Sequence, residues 1–483
     1  MSSFVKNDPR ADKSLKKPNE RVPSPQPSPP QQRGRGSDVL AKPRHESPSG
    51  AETPVATVTA FSHDGRGVAR IDGKAVFIEG ALPGETVRFR YRERRKRYDT
   101  GEVTEILEPS PDRVTPPCPH YGTCGGCDLQ HLRPEAQLRA KQEIVAAQLE
   151  HLGKVTPESW LAPVIGPVLG YRRRARLGVR QVPSEGGVVI GFRQRNKSFL
   201  TNLETCLVLE PKVSTLLPAL RTLIGELSCP NRIPQIEVAC GSDAAALVFR
   251  HLVPLTEDDR ERLAAFGEHN DIRVYLQPSR PDSIAPLWPA APEPLSYRIP
   301  ASDVDIRFEP ADFIQINDAV NAATVAQAIN LLELAPTDKV LDLFCGLGNF
   351  TLPLARRAGR VLGVEGEAGL VRRARANAQL NQISNVEFIS ADLYKESSGP
   401  SWGDFKPDKL LLDPPRGGAI EAIKMLAEPL PSRIVYVSCY PATLARDSEY
   451  LVHALGYRFA AAGVMDMFPQ TSHVETMALF VRP

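Results

Sequence analysis

Short runs of alternating apolar and polar residues follow one another between Val55 and Ile106. Turn signals such as Asp64-Gly65 and Asp72-Gly73 separate these runs, as expected between successive strands. The runs cover residues 55–59, 67–71, 75–78, 86–90 and 101–106. Five short strands at this spacing are typical of a small closed β-barrel of the OB type. The pattern therefore predicts a barrel domain over residues 51–109.

From residue 301 onward the pattern changes, and apolar strands alternate with helical segments. The predicted strands begin at Lys339, Arg360, Val386, Lys409 and Val435, and a helix is predicted near Ala319–Leu334. This alternation predicts a mostly parallel, Rossmann-like sheet over residues 301–483. Residues 110–300 mix both kinds of run, including an amphipathic helix over Pro134–Leu152, and predict a central α+β domain. The fold class is therefore multidomain α/β with an amino-terminal barrel.

Residues 1–50 differ in composition from the rest of the chain. They contain nine prolines and ten Lys/Arg against five Asp/Glu, a charge of +5 within a total of +2, which leaves −3 for the remainder. Aromatic and β-branched residues are too few there to bury a core that offsets chain entropy. We predict that residues 1–50 form a disordered basic tail.

Composition also bears on cellular location and on the use of cysteine. No apolar run approaches the ~18 residues that a membrane span needs, and the amino terminus lacks the apolar core of a signal peptide. We therefore predict a soluble, cytoplasmic protein without membrane association and without an evident obligate protein partner. Eight cysteines in 483 residues are not a disulfide framework, and clustered cysteines in a reducing compartment are typical metal ligands.

Two segments are rich in arginine. The first interleaves basic residues with the aromatic residues Phe89, Tyr91 and Tyr98; its members are Arg88, Arg90, Arg92, Arg94, Arg95, Lys96 and Arg97. Such interleaving suits a groove for single-stranded nucleic acid, although a solvated edge strand has the same composition. The second segment, residues 161–200, has eight basic residues against one acid, Glu185. Its charge favours phosphate binding.

Three cysteines, Cys118, Cys124 and Cys127, lie within ten residues of one another, and two glycines separate the last pair. This spacing is a strong signal for metal ligation, and a complete site needs a fourth ligand. The candidates are Cys206, Cys229 and Cys240, of which Cys206 is favoured because it opens a loop without periodicity of its own. Spacing alone leaves zinc and an iron–sulfur cluster both open.

Candidate catalytic and binding residues follow the ends of the predicted carboxyl-terminal strands. A glycine-rich turn begins at Cys345, and Glu365 ends the next strand, where the ribose of a bound nucleotide would present its hydroxyl groups. Asp392 and Asp413 follow the next two strands, and Cys439 follows the last. A cysteine at this edge is either a small buried residue or a nucleophile. A nicotinamide-dependent dehydrogenase shares the glycine turn but has no need of that cysteine.

Taken together, the motifs of this chain resemble those of the RNA (uracil-5-)-methyltransferase family. They are CxxxxxCGGCxxQH at Cys118–His131, Phe313–Asn317, Leu341–Phe350, Asp413–Arg416, Ser438–Asp447 and Ser472–Glu475. Residues 51–109 resemble the TRAM domain, an RNA-binding barrel. The combination of barrel and cysteine set is similar to the branch that modifies 23S ribosomal RNA, whereas the transfer-RNA branch typically lacks both. One departure is Leu207, because the family usually has proline after the fourth cysteine.

The resemblance implies an enzyme that uses S-adenosylmethionine to form 5-methyluridine in 23S ribosomal RNA, on a single-stranded or flipped uridine. It implies Cys439 as the nucleophile that adds to uracil C6 and Glu475 as the base that removes the C5 proton. The residues implied at the cofactor are Gln315, Phe344, Asn349, Glu365, Asp392 and Asp413, the last of which could instead contact the uracil edge. The ligands implied for a [4Fe–4S] cluster are Cys118, Cys124, Cys127 and Cys206.

Several alternatives remain at this stage. The RNA substrate could be transfer RNA or a different ribosomal site, and the chain could be a non-catalytic RNA-binding protein with a methyltransferase fold. A methylthiotransferase would need a tight CxxxCxxC motif, which the sequence lacks. A cytosine-5 methyltransferase usually has a second cysteine in the motif that here reads Asp413-Pro-Pro-Arg416.

Overall fold

The computed structural model of the protein describes residues 53–182, 187–395 and 402–482. The predicted basic tail, residues 1–50, lies outside the described residues. The described strands form two six-stranded sheets, a two-stranded hairpin and one eight-stranded sheet. No helix in these three ranges is both long and apolar enough to cross a membrane.

The first sheet is the predicted barrel. Its strands are β1 (Val55–Thr57), β2 (Ala60–Phe61), β3 (Gly67–Ile71), β4 (Lys74–Glu79), β5 (Thr86–Arg94) and β6 (Tyr98–Glu108), in the order β1-β5-β6-β4-β3-β2. The backbone N–H of Val58 donates to Glu85 and that of Thr59 donates to Val68, both at 2.8 Å. Because β1 and β2 are one bent segment that pairs with both edges, the sheet closes on itself. The barrel prediction is confirmed, with a sixth short strand, β2, directly after the first predicted run.

Alternating side chains of these strands fill the barrel. Val76, Ile78, Val87 and Phe89 are buried, and burial of a side chain such as Phe89 contributes about 2 kcal/mol. Gly101 on β6 faces this ring, and a Cβ atom at Gly101 would lie only 2.6 Å from it. The close approach of the two strands therefore depends on the missing side chain.

A central sheet follows the cysteine-rich segment. Its elements, with those that precede it, are α1 (Pro134–His151), β7 (Ser159–Trp160), β8 (Arg174–Val182), β9 (Gly187–Gly191), α2 (Pro211–Ser214), α3 (Leu217–Glu226), β10 (Gln235–Cys240), β11 (Ala245–Arg250), α4 (Glu257–His269), β12 (Arg273–Gln277) and β13 (Ala285–Trp288). The strand order is β13-β12-β11-β10-β8-β9, mostly antiparallel, with α3 packed on β9 and α4 packed on β12 and β13. This is the predicted central α+β arrangement.

The carboxyl-terminal elements form the Rossmann-like sheet that the sequence predicts. They are β14 (Leu295–Ile299), β15 (Val304–Phe308), α5 (Asp318–Leu332), β16 (Lys339–Leu343), α6 (Thr351–Ala355), β17 (Arg360–Glu365), α7 (Ala368–Leu380), β18 (Val386–Ser390), β19 (Lys409–Leu412), α8 (Ile420–Lys424), β20 (Arg433–Ser438), α9 (Pro441–Glu449), β21 (Arg458–Met465) and β22 (Glu475–Val481). Strands β14 and β15 form a hairpin beside the sheet, whose order is β18-β17-β16-β19-β20-β22-β21-β7. Strands β16 to β20 are parallel, so their carboxyl ends share one edge, whereas β22 runs antiparallel to β20.

Two elements from residues 134–160 lie against this sheet. Strand β7 pairs in parallel with β21, and helix α1 packs on α9. Lys141 of α1 is buried, and its Nζ donates to the buried Asp466 Oδ1 at 2.7 Å. We keep 51–109, 110–300 and 301–483 as the proposed domains, although the sheet of the third includes this strand from the second.

Candidate active site

The pairing of β20 with β22 brings the predicted nucleophile and base together. Ser438 and Thr476 are the last pair of this antiparallel ladder, so Cys439, which directly follows β20, continues the chain beside Glu475, whose charge acts on the thiol. Both side chains are half-buried. Pro441 begins α9 two residues after Cys439, which ends the strand and leaves the thiol at its carboxyl end. A thiol and a carboxyl group therefore share one edge of the sheet.

Asp413 and Arg416 lie at the same edge. Strand β19 is the parallel neighbour of β20, and Asp413 directly follows its last residue. Burial raises the pKa of Asp413 to about 7. Burial raises the pKa of both Cys439 and Glu475, and the positive charge of Arg416 opposes part of that rise. The Arg416 guanidinium lies 3.3 Å from His473 Nδ1.

The electrostatics of this edge favour neutral side chains. Burial, reinforced by the charge of Asp413, raises the pKa of Glu475 to about 8. Burial, reinforced by Glu475 and Asp413, raises the pKa of the Cys439 thiol to about 11. At neutral pH the site therefore holds a protonated thiol beside a largely protonated carboxyl group. A carboxyl group with a pKa near the working pH is suited to accept and return a proton.

The glycine-rich turn after β16 has the geometry of a nucleotide-binding loop. Phe344, Gly346 and Gly348 all have positive φ, of 67°, 54° and 91°. Glu365 Oε2 accepts the Gly346 N–H at 3.1 Å, and its Oε1 accepts the Glu367 N–H at 3.0 Å. Each carboxylate oxygen keeps a further lone pair, so the side chain can still accept from two hydroxyl groups. A Cβ atom at Gly346 would meet no atom within 4 Å, so the turn borders open space.

The other residues predicted at the cofactor differ in burial and in their partners. Asn349 exchanges two 3.0 Å hydrogen bonds with Asn321 and accepts from the Tyr297 hydroxyl at 3.0 Å. Asp392 is exposed, and its hydrogen bond from the Tyr394 N–H lowers its pKa. The ring of Phe344 lies 5.8 Å from that of Tyr394. Gln315 is half-buried in the loop between β15 and α5.

Two residues of the site were not assigned roles from the sequence. Asp342 is fully buried in β16; the Thr351 hydroxyl donates to one of its oxygens, while the other has no partner among the described residues. Burial raises the pKa of Asp342 to about 8. The feature of the sequence that could have identified Asp342 is an acidic residue within an otherwise apolar strand. His473 lies within the motif Ser472–Glu475, but only the fold brings it to Arg416.

The four predicted cluster ligands line one small cavity. Cys118, Cys124, Cys127 and Cys206 are all on its wall, together with Gln130 and Phe192. Neither Cys229 nor Cys240, the other candidates for the fourth ligand, lines this cavity. Among the residues described, no group of three or more Cys, His, Asp or Glu side chains is arranged to hold a metal ion. The thiols thus surround a cavity and do not converge on one point.

A cleft of about 1460 Å³ runs between the barrel and the central sheet. Eight arginines line it, twice the number of its acidic residues: Arg66, Arg92, Arg95, Arg172, Arg176, Arg180, Arg193 and Arg195. Phe468, Thr471 and His473 extend the lining toward Glu475. Both arginine-rich segments of the sequence therefore contribute to one positive cleft, whose lining includes His473, the neighbour of Arg416.

Only part of the first arginine-rich segment faces this cleft. Arg92 and Arg95 line it. Arg88 instead pairs with Glu105 of the neighbouring β6, and the guanidinium of Arg94 lies 4.1 Å from the centre of the Tyr91 ring. The exposed face of β5 is thus partly an ion-paired strand surface, and because β5 lies between β1 and β6 it is not the solvated edge strand of the alternative interpretation.

Comparisons with known proteins match two parts of the chain to described families. The profile described as tRNA (Uracil-5-)-methyltransferase matches residues 295–482, and that of the TRAM domain matches residues 52–104. The solved structure of a Pyrococcus abyssi tRNA (uracil-54, C5)-methyltransferase in complex with S-adenosyl-L-homocysteine is similar, with a TM-score of 0.68 and 25% identity over 89% of this chain and 100% of that one.

Curated relatives are more similar in sequence. The 23S rRNA (uracil(1939)-C(5))-methyltransferase RlmD of Alkalilimnicola ehrlichii is 50% identical, over 88% of this chain and 96% of the relative. The protein of the same name from Nitrosococcus oceani is 51% identical, over 90% of this chain and 97% of the relative. The similarity thus extends over the barrel, the central sheet and the carboxyl-terminal sheet together.

Proposed function

The chain belongs to the family of S-adenosylmethionine-dependent RNA uracil-5-methyltransferases, and from that membership we propose that it forms 5-methyluridine in 23S ribosomal RNA. The observation that carries the proposed chemistry is the position of Cys439 beside Glu475, directly after the last ladder pair Ser438–Thr476. The proposed substrate follows the relatives that are about half identical to this chain, and its target is the uridine corresponding to their uracil 1939.

In the proposed reaction the Cys439 thiol gives its proton to solvent, and its sulfur bonds to uracil C6. The electrons of the C5–C6 double bond then move toward the C4 carbonyl, which makes C5 nucleophilic. S-adenosylmethionine, when bound, would supply an electrophilic methyl group. C5 bonds to that methyl carbon as the bond between the methyl group and the sulfonium sulfur breaks, which leaves S-adenosylhomocysteine. Glu475 then takes the C5 proton, the C5–C6 double bond forms again, and the thiolate of Cys439 leaves.

The turn after β16 fits the cofactor. Glu365 offers two oxygen acceptors to ribose hydroxyl groups, and the open space at Gly346 lets a ligand approach the backbone. We propose that the remaining cofactor contacts come from Gln315, Phe344, Asn349, Asp392 and Asp413.

We further propose that the arginine-lined cleft holds the RNA backbone while one uridine enters the active site. The positive lining supports phosphate contacts along the cleft, and the lining includes three residues of the loop before Glu475. A base must leave its stack to reach both a thiol and a methyl donor, so a flipped or single-stranded uridine is required. Ribosomal RNA as the substrate implies a cytoplasmic location.

Cells that lack this protein should lose 5-methyluridine at one position of 23S ribosomal RNA. Mass spectrometry of nuclease fragments from 23S and transfer RNA would measure the modification in both. The chain carrying Cys439→Ala is the matched control, because it should not restore methylation whereas the unaltered chain should. Loss of 5-methyluridine from transfer RNA, with 23S RNA unchanged, would show that the substrate is transfer RNA.

A four-iron cluster is the proposed occupant of the cavity lined by Cys118, Cys124, Cys127 and Cys206. Thiols around a cavity suit a cluster of several atoms better than one zinc ion, around which four ligands converge at about 2.3 Å. A cluster in this position would tie the Cys206 loop to the cysteine-rich segment. No step of the proposed methyl transfer involves it.

Protein purified without oxygen should be brown and should contain about four iron and four acid-labile sulfide ions per chain. Cys206→Ser should lose most of both, because it removes one of four ligands, whereas Cys229→Ser is a control that should retain them. Iron and sulfide assays with metal analysis would measure this. One zinc per chain without sulfide would contradict the proposal.

A further inference from the structure

The loop between β21 and β22, residues 466–474, is held by residues far from it in sequence. It joins the last ladder pair of these strands, Met465 and Glu475. That pair is the last of the ladder. The loop is therefore the segment that restrains the backbone of Glu475, the proposed base, on its amino-terminal side.

Helix α1 and Tyr171 hold one side of the loop. Lys141 Nζ donates to Asp466 Oδ1 at 2.7 Å and to the Phe468 carbonyl at 3.0 Å. Gln137 donates to the Gln470 side chain and accepts from the Gln470 N–H, both at 3.0 Å. The Tyr171 hydroxyl donates to the Pro469 carbonyl at 2.8 Å.

Asp128, the residue after Cys127, holds the other side. Its Oδ1 accepts the Ser472 N–H at 2.7 Å, and its Oδ2 accepts the Ser472 hydroxyl at 2.8 Å. The N–H groups of Asp128 and Leu129 both donate to the Gln470 carbonyl, at 3.1 and 3.0 Å. The Tyr121 hydroxyl in turn donates to the Asp128 carbonyl at 2.7 Å. The cysteine-rich segment is therefore hydrogen-bonded directly to the loop that precedes Glu475.

We propose that Asp128 is a positioning residue, which fixes residues 466–474 and thereby the carboxyl group of Glu475. Both oxygens of one carboxylate accept from one residue, which restrains Ser472 in position and in orientation. Glu475 follows Ser472 by three residues. The inference rests on the proposed role of Glu475 as the base, and it gives the cysteine-rich segment a task in catalysis that does not involve electron transfer.

Two substitutions separate positioning from loss of stability. Asp128→Ala removes both side-chain acceptors, whereas Asp128→Asn can still accept the Ser472 N–H and can donate its amide to the Ser472 hydroxyl. Asp112→Ala is the matched control, because Asp112 also pairs with two side chains, Arg133 and Arg139, but does not touch the loop.

Asp128→Ala should lower kcat by about ten- to a hundredfold, since a misplacement of about 1 Å costs that much. KM for RNA should change less than about threefold, and more of the enzyme should be trapped as the methylated covalent adduct, because removal of the C5 proton is slowed. Asp128→Asn and Asp112→Ala should both stay within about threefold of the unaltered protein in kcat.

Hydrogen–deuterium exchange of the full chain without RNA gives a measurement independent of activity. Peptides from residues 466–474 should exchange about tenfold faster in Asp128→Ala and at the normal rate in Asp128→Asn. Unchanged exchange in Asp128→Ala, or equal loss of kcat in the alanine and asparagine variants, would refute the role of Asp128.

If Asp128→Ala does not fold, Ser472→Ala is the second variant, because it removes one of the two hydrogen bonds to Asp128. It should show smaller changes of the same kind. Normal exchange and normal adduct levels in Ser472→Ala would then overturn the inference. If the loop loosens as expected but the unaltered protein methylates no RNA, the proposed function fails while the restraint of the loop by Asp128 stands.

Discussion

Cys439→Ala abolishes both methylation and the formation of a covalent RNA adduct, if the thiol adds to uracil C6 before methyl transfer. Without that addition C5 is a poor nucleophile, so the rate should fall by at least about 10⁴-fold. Methyl transfer from labelled S-adenosylmethionine and denaturing gels of enzyme mixed with RNA would measure the two losses. RNA that contains 5-fluorouridine should trap the unaltered protein, because fluorine cannot leave as a proton does.

Cys345→Ala is the control for this experiment. Cys345 is 4% exposed beside the glycine-rich turn, and burial raises its pKa well above the ordinary value. Its replacement should leave adduct formation intact. An adduct formed by Cys439→Ala, or a trapped peptide that contains Cys345, would show that the nucleophile is misassigned, and normal methylation without Cys439 would exclude covalent catalysis.

Glu475→Gln should stall the reaction one step later. Addition and methyl transfer still occur, but no base removes the C5 proton, so a methylated adduct that survives denaturing electrophoresis should accumulate. Turnover should fall by about 10² to 10⁴-fold. Labelling both the RNA and the methyl group would show that the trapped species carries both.

The pH dependence of the reaction is a second test of Glu475 as the base. Burial raises the pKa of Glu475 to about 8, so the carboxylate needed as the base forms as pH rises through that value. Proton removal in the unaltered protein should therefore accelerate between about pH 7 and 9, and Glu475→Gln should lose this rise. Glu387→Gln, which alters an exposed pair with Arg360, should behave normally. Normal turnover of Glu475→Gln would mean that another group is the base.

The sequence was sufficient to predict where strands end, because strand ends are visible in local periodicity. Cys439, Asp413 and Glu365 were placed at the carboxyl ends of β20, β19 and β17 in this way, and the structure brings these ends to one edge. The position of Glu475 beside Cys439 could not be predicted in this way. It depends on β22 pairing with β20, and periodicity does not specify the partner of a strand.

Interactions between distant segments account for what the sequence could not predict. Spacing left three candidates for the fourth cysteine, and only folding places Cys206 in the cavity with the other three. The sequence did not show that arginines of β5 pair with Glu102 and Glu105, because these partners lie across a hairpin on β6. The bonds of Asp128 to Ser472 span 344 residues, for which a single sequence contains no signal.

The packing of α1 on the last helices and strands also determines when the protein can finish folding during its synthesis. Lys141 and its partner Asp466 are 325 residues apart in the chain. At about 5 to 20 residues per second, a ribosome adds Asp466 roughly 15 to 65 s after Lys141. During that interval β21 does not yet exist, so the buried face of α1 and the ammonium group of Lys141 remain exposed to water. The barrel can fold as it emerges from the ribosome, but α1 reaches its native packing only when nearly the whole chain has been made.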